Sequence, residues 1–178
     1  MKIFLLSVLF IVSIVSVNAT EIAVIKLDEI VKNSAAMVKA EKEIKEKKEG
    51  IEKDLKKKEK VLQTEKEELE GQIKVLDQSV AQDKIQKFQE KVVKFQNEVK
   101  ENEGSLQSAY VDVVTQITNN IKVIVSDLKK EKDGKYIFDV VLPSSFVVYN
   151  DGKLDISGEV ITRLNKQYKT VKVNFKKK

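Results

Sequence analysis

An apolar repeat over residues 40–128 constrains this chain more than any other feature. Ile44, Ile51, Leu55, Leu62, Leu69, Ile73, Leu76 and Val80 follow one another at steps of three, four or their sum. Ile85, Phe88, Val92, Phe95, Val99, Leu106, Val113, Ile117, Ile124 and Leu128 continue the pattern. A repeat near 3.5 residues keeps one stripe of a helix against a partner helix, which is the seam of a coiled coil. Neither arm contains Pro, and Gly50, Gly71 and Gly104 cost about 1 kcal/mol each against Ala.

The repeat breaks in the polar run at residues 77–83, where Asp83 is a plausible N-cap for the second arm. Folding there sets residues whose numbers sum to about 161 opposite each other, as a two-helix seam requires. Leu76 then meets Ile85, Ile73 meets Phe88, Leu69 meets Val92, Leu62 meets Val99 and Leu55 meets Leu106. Lys58 falls opposite Asn102 or Glu103, a polar layer of the kind that fixes register. An arm of about 40 residues is roughly 60 Å long. The competing arrangement is two separate coiled coils made with other chains.

The N-terminus begins with a basic Lys2, continues through an apolar run over residues 3–17 and ends Val17-Asn18-Ala19. This is the pattern of a secretory signal peptide cut after Ala19. An uncleaved anchor is the alternative, but the run is short for the ~20 residues a bilayer span needs. The chain has no Cys, so neither disulfide nor thiol chemistry is available to it. His is absent as well, which removes the commonest general base and the commonest metal ligands. No catalytic, cofactor-binding or metal site is expected. Asp151 and Asp155 form the nearest thing to a carboxylate pair, and turn-forming and capping roles account for them.

The net charge of +5 is unevenly placed. Loss of Lys2 leaves +4. Seven bases and no acid lie from residue 162 to 178, so the rest of the mature chain carries −3. A basic end attracts anionic lipid or nucleic acid, and export disfavours nucleic acid.

Four domains are expected: residues 1–19 as signal peptide, 20–34 with 133–168 as a β-rich body, 35–132 as the helical hairpin and 169–178 as a basic tail. Residues 22–27 read as a strand buried on both faces, residues 136–142 as a buried strand, and residues 146–149 as a third strand of one small sheet. Asp28 caps a short helix at residues 29–33, Ser34 launches the first arm, and Asp133-Gly134 stops the second. Ser157 is a reasonable N-cap for a last helix striped with Val160, Ile161, Leu164 and Tyr168. Residues 170–175 alternate, as a last strand does, and the reading leans towards a partly disordered tail. Glu41–Lys45, Glu43–Lys47, Glu49–Lys53 and Glu52–Lys56 have the favourable order for i,i+4 pairs. The fold class is α+β: a small sheet body with a long antiparallel coiled-coil hairpin. Three strands and one hairpin leave exposed edges and little core, so oligomerisation is the natural remedy.

The flanks of the hairpin carry a family resemblance. The opening Ile22-Ala23-Val24-Ile25-Lys26-Leu27-Asp28-Glu29-Ile30-Val31, then Ser34, resembles the first strand and short helix of the Skp/OmpH family of periplasmic chaperones. The closing Asp155-Ile156-Ser157 and Val160-Ile161-Thr162-Arg163-Leu164-Asn165-Lys166 is similar to that family's final helix. The resemblance implies a homotrimer whose basal strands join, with Ile22, Val24, Ile25, Leu27, Ile137, Val140 and Leu142 as oligomerisation residues. It implies an ATP-independent holdase that keeps unfolded outer-membrane β-barrel proteins in a cavity between helical arms, in the periplasm and without a cofactor. The near-neutral arms depart from the basic arms common in the family, and no lipopolysaccharide-binding residues carry over. The basic tail runs past the family's usual end and offers a contact to anionic lipid. The alternative function is an exported coiled-coil structural or tethering protein of the envelope.

Overall fold

The computed structural model describes residues 20–131 and 136–176. The expected signal peptide, the stop at Asp133-Gly134 and the last two lysines lie outside the described residues. The elements are β1 (Ile22–Ile25), α1 (Leu27–Asn33), α2 (Ala35–Gln72), α3 (Gln78–Lys129), β2 (Val140–Pro143), a 3-10 turn (Ser144–Phe146) and α4 (Ser157–Gln167).

The two long helices follow from the repeat, and three polar contacts tie them together. Lys58 pairs with Glu98, Glu65 with Lys91 at 2.8 Å, and Gln72 with Lys84 at 2.6 Å. Each pair's residue numbers sum to 156, so numbers rise along one helix as they fall along the other. The expected sum near 161 is therefore corrected, and Lys58 meets Glu98 in place of Asn102 or Glu103. The turn comes earlier than expected, between Gln72 and Gln78, with Asp77 at the N-cap of α3. Asp83 lies inside α3, where its carboxylate accepts from Lys87 at 2.7 Å. The cause is that Gln, Ser and Ala tolerate a helix, so the polar run begins α3 instead of interrupting it. On the outer face of α2 the ion pairs include Lys42–Glu46, Lys45–Glu49 and Lys48–Glu52, with the lysine leading. This reverses the expected order, a choice that exposed pairs worth well under ~1 kcal/mol leave to the rotamers.

The sheet is smaller than expected. β1 and β2 pair in parallel, with Ile22 opposite Val140 and Ile25 opposite Pro143. Parallel pairing needs a long crossover, and here the whole of α1–α3 is that crossover. On the other side of β1, Val24 N–H donates to the Leu154 carbonyl at 2.8 Å and the Val24 carbonyl accepts from Ile156 N–H at 3.0 Å. That segment takes the third place in the layer through the single bridge Val24–Asp155. Residues 146–149 are not the third strand. Phe146 closes the 3-10 turn and Val148 stands fully exposed, because among the described residues no segment pairs with it as a strand.

Ser34 performs the expected cap. Its buried Oγ accepts from Met37 N–H at 3.1 Å and donates to the Val31 carbonyl at 2.8 Å. Asp28 does not cap α1: Lys26 holds the N-cap position and Asp28 sits in the first turn. Likewise Ser157 is the first residue of α4 and Ile156 precedes it as N-cap. The capping bond there comes from Asp155, whose Oδ1 accepts from Ser157 N–H at 2.8 Å.

The core lies at the base, where α1, the start of α2, the end of α3, the sheet and α4 meet. Ile30, Met37, Val113, Ile117, Ile124, Leu128, Val160 and Leu164 are all buried there. Residues 170–176 leave α4 and run along α3 in an extended form, with Val171 and Val173 packed on this core. The described part of the tail is thus laid down on the helices, contrary to the lean towards disorder. Alternation supplies the reason, since it gives an extended chain one apolar edge to bury.

Candidate functional site

Two surfaces stand apart from ordinary solvated protein: the seam along the arms and one edge of the base. The residues expected at the seam are Ile44, Ile51, Leu55, Leu62, Leu69, Ile73, Leu76, Ile85, Phe88, Val92, Phe95, Val99 and Leu106. Every one of these side chains is half-buried. Two helices alone cannot surround a seam residue on all sides, so an apolar strip stays open along both flanks. On α3 the first buried residues are Ser105 and Ala109, and the repeat is sealed from Val113 towards the base, where α1 and α4 add further walls. Phe88 and Phe95 are therefore neither sealed core nor free contacts.

An open groove of about 390 Å³ lies along the seam, lined by Val61, Leu62 and Phe95 and rimmed by Lys57, Lys91 and Lys94. A second, of about 820 Å³, runs beside Val93 and Asn97 on α3. The first combines an apolar floor with long charged rims, and the second sets Val93 among Gln, Glu, Lys and Asn side chains. Such walls offer dispersion contacts and no fixed hydrogen-bond pattern.

The edge of the base is the second surface. Ile22, Ile137 and Val140 face outward there, as do Phe146, Val148 and Tyr149 on the loop after β2. Leu27 and Leu142 are half-buried. Val24 and Ile25 are buried inside their own chain, so their surface is not available to a partner. Sequence reasoning missed Phe146, Val148 and Tyr149 as outward-facing residues because it placed them in a paired strand. Their mismatch is the only local signal: four consecutive apolar side chains, from Phe146 to Tyr149, stand between Ser145 and Asn150 with no polar residue alternating.

Polar contacts fasten the arms to the base. Asn165 Oδ1 on α4 accepts from Ala35 N–H, at the first residue of α2, at 2.8 Å. Ser157 Oγ accepts from Lys26 N–H at 2.8 Å. Arg163 forks onto Glu131 with both Nη atoms and reaches Glu159 through Nε, and these carboxylates push its pKa further up. Burial pushes the Asp155 carboxyl up, but the Ser157 side chain, the Ser157 N–H and Lys26 outweigh it and hold the group below its ordinary value. Asp151 Oδ1 accepts from Lys153 N–H at 3.1 Å. Each of the two aspartates is thus engaged with its own turn, as the capping reading has it. Among the described residues no cluster of carboxylates could hold a metal ion, and no helix is long and apolar enough to cross a membrane.

The class these features define is a helical-arm protein: a small α+β base that fastens two long helices whose seam stays half open. The chain belongs to the OmpH-like outer membrane protein family, whose model matches residues 21–164. Among solved structures it is similar to one described as a "putative outer membrane chaperone (OmpH-like)" from Caulobacter crescentus CB15. The TM-score is 0.75 at 13% identity, over 89% of this chain and 91% of that one. No curated protein sequence matches the chain.

Proposed function

We propose that this protein is an ATP-independent holdase chaperone of the periplasm, which holds unfolded outer-membrane β-barrel proteins between its helical arms and prevents their aggregation. Residues 1–19 act as a cleaved signal peptide. The observation that carries the reading is the apolar stripe whose residues stay half-buried along the distal arms, between Ile44 and Leu106. It offers apolar contact without a shaped pocket, and many weak contacts from several arms add up to retention without sequence preference. Membership of the OmpH-like family supports a chaperone role at the level of the family.

In this reading α2 and α3 form one antiparallel coiled-coil hairpin and three chains join through their bases. The oligomerisation contacts are Ile22, Ile137 and Val140, extended by Phe146, Val148 and Tyr149. The exposure of these side chains supports that role, since burying them is the usual fate of a contiguous apolar edge. The chain performs no catalysis and needs no cofactor. The test dilutes a urea-denatured outer-membrane β-barrel protein into buffer with the mature protein at several-fold molar excess. Light scattering is expected to stay at baseline. Aggregation at the rate of the client alone refutes the reading.

A further inference from the structure

The C-terminal segment lies in a site that reads main chain. Gln116 Nε2 donates to the Lys172 carbonyl at 2.8 Å, and Gln116 Oε1 accepts from Lys172 N–H at 3.2 Å. A carboxamide that satisfies both backbone groups of one residue stands in for a neighbouring strand, and it makes the same bonds whatever side chain that residue carries. Asp112 Oδ2 braces the arrangement, accepting from Gln116 Nε2 at 3.1 Å and from Asn174 Nδ2 at 3.0 Å.

Spacing explains why an extended chain fits a helix here. Two extended residues cover about 6.6 Å and four helical residues about 6 Å, so each dipeptide advances by about one helical turn. Ser108, Asp112, Gln116 and Asn120 form a polar ladder on α3 at that four-residue step. Val171, Val173 and Phe175 are half-buried, with the Phe175 ring under Lys47 of α2 at 5.8 Å, while Lys172, Asn174 and Lys176 are exposed. The groove therefore selects for alternation, which is also the pattern of a β-barrel strand.

We propose that this groove is a strand-binding site that the chain fills with its own residues 170–176, and that an alternating strand of an unfolded β-barrel protein displaces them. The inference rests on the holdase reading. A client strand brings the same backbone N–H and C=O to Gln116 and the same apolar edge to the core, so exchange gives up only the Asn174–Asp112 side-chain bond and the Phe175–Lys47 contact. The tail is then a placeholder that keeps the groove closed to chains lacking the alternation.

Hydrogen exchange of the full chain tests this, with a urea-denatured outer-membrane β-barrel protein as the probe. On client capture, exchange in residues 170–176 is expected to speed up by about tenfold or more as the segment is released. Capture of the client, seen by co-elution, with unchanged protection of the segment overturns the inference and leaves the holdase reading standing. Failure to capture any client overturns both. A second arm uses Val173→Asp, which weakens the segment's own hold, and a fluorescein-labelled peptide copying residues 170–178. The variant is expected to bind the peptide about tenfold more tightly than the unaltered chain, because its groove is free more of the time. Adding Gln116→Leu is expected to abolish that gain. Equal binding by the variant and the unaltered chain, or equal binding of a peptide of the same composition without alternation, overturns the proposal.

Discussion

Replacing Phe146 by Ala is expected to weaken the assembly without weakening the chain. Phe146 is 79% exposed in a single chain, so its ring contributes little to its own subunit. Full burial of such a side chain against a neighbour is worth about 2 kcal/mol. In the proposed trimer, a closed ring of three contains the contact three times, so the assembly is expected to lose about 6 kcal/mol relative to its separated chains. That is roughly four decades in the dissociation constant. The concentration of half-dissociation varies as the square root of that constant, so it rises by about a hundredfold. Sedimentation velocity over a dilution series reads the midpoint directly, and far-ultraviolet circular dichroism reads the helices of the same samples. The expected result is an unchanged helical signal with dissociation at far higher protein concentration than for the unaltered chain. An unchanged midpoint removes Phe146 from the interface. A chain that is monomeric throughout removes the trimer. A loss of helicity shows that the ring supports its own subunit, against its exposure.

Two further substitutions probe the base. Ser34→Ala removes the cap on α2 together with the bond to the Val31 carbonyl, at a site with no solvent to replace them, and is expected to cost about 1–2 kcal/mol. Urea unfolding reads this as a lower midpoint at constant slope, and an unmoved midpoint refutes the role given to Ser34. Asp155 has its folded-state carboxyl held below the ordinary value, so its contribution is present at neutral pH and is lost as pH falls through the folded pKa. Asp155→Asn is expected to be less stable than the unaltered chain at pH 7, with the gap closing as the pH drops below about 4. A gap that stays constant on acidification shows that the carboxylate charge is not what stabilises the turn.

Legibility in the sequence tracked the range of the interactions concerned. The apolar repeat was readable because a period near 3.5 is a local property of each helix, and its residues from Ile44 to Leu106, the exposed Val80 apart, are half-buried. The position of the turn was not, because register depends on the whole set of cross-arm contacts, Lys58–Glu98 and Glu65–Lys91 among them. Gln78-Ser79-Val80-Ala81 carries no local signal strong enough to decide between ending one helix and starting another. Residues 146–149 misled for a related reason: strand propensity reports what fits a sheet, and only a neighbour makes a strand. Among the described residues Phe146, Val148 and Tyr149 are instead the most exposed large apolar side chains of the base.

By itself the sequence determined that most of this chain is two long helices, that its ends supply a small mixed base, and that His and Cys chemistry is absent. These follow from periodicity and composition, which act residue by residue. Only the tertiary structure decided which faces are sealed. It buried Val24 and Ile25 within the chain, left Ile22, Ile137 and Phe146 outside, and left the distal seam half open. It also laid residues 170–176 against Gln116, more than fifty residues away in the chain. The physical reason is that burial is a property of neighbours. A side chain's hydrophobicity states that it gains from cover, and only the packed arrangement of distant segments states whether this chain supplies that cover or leaves it to a partner.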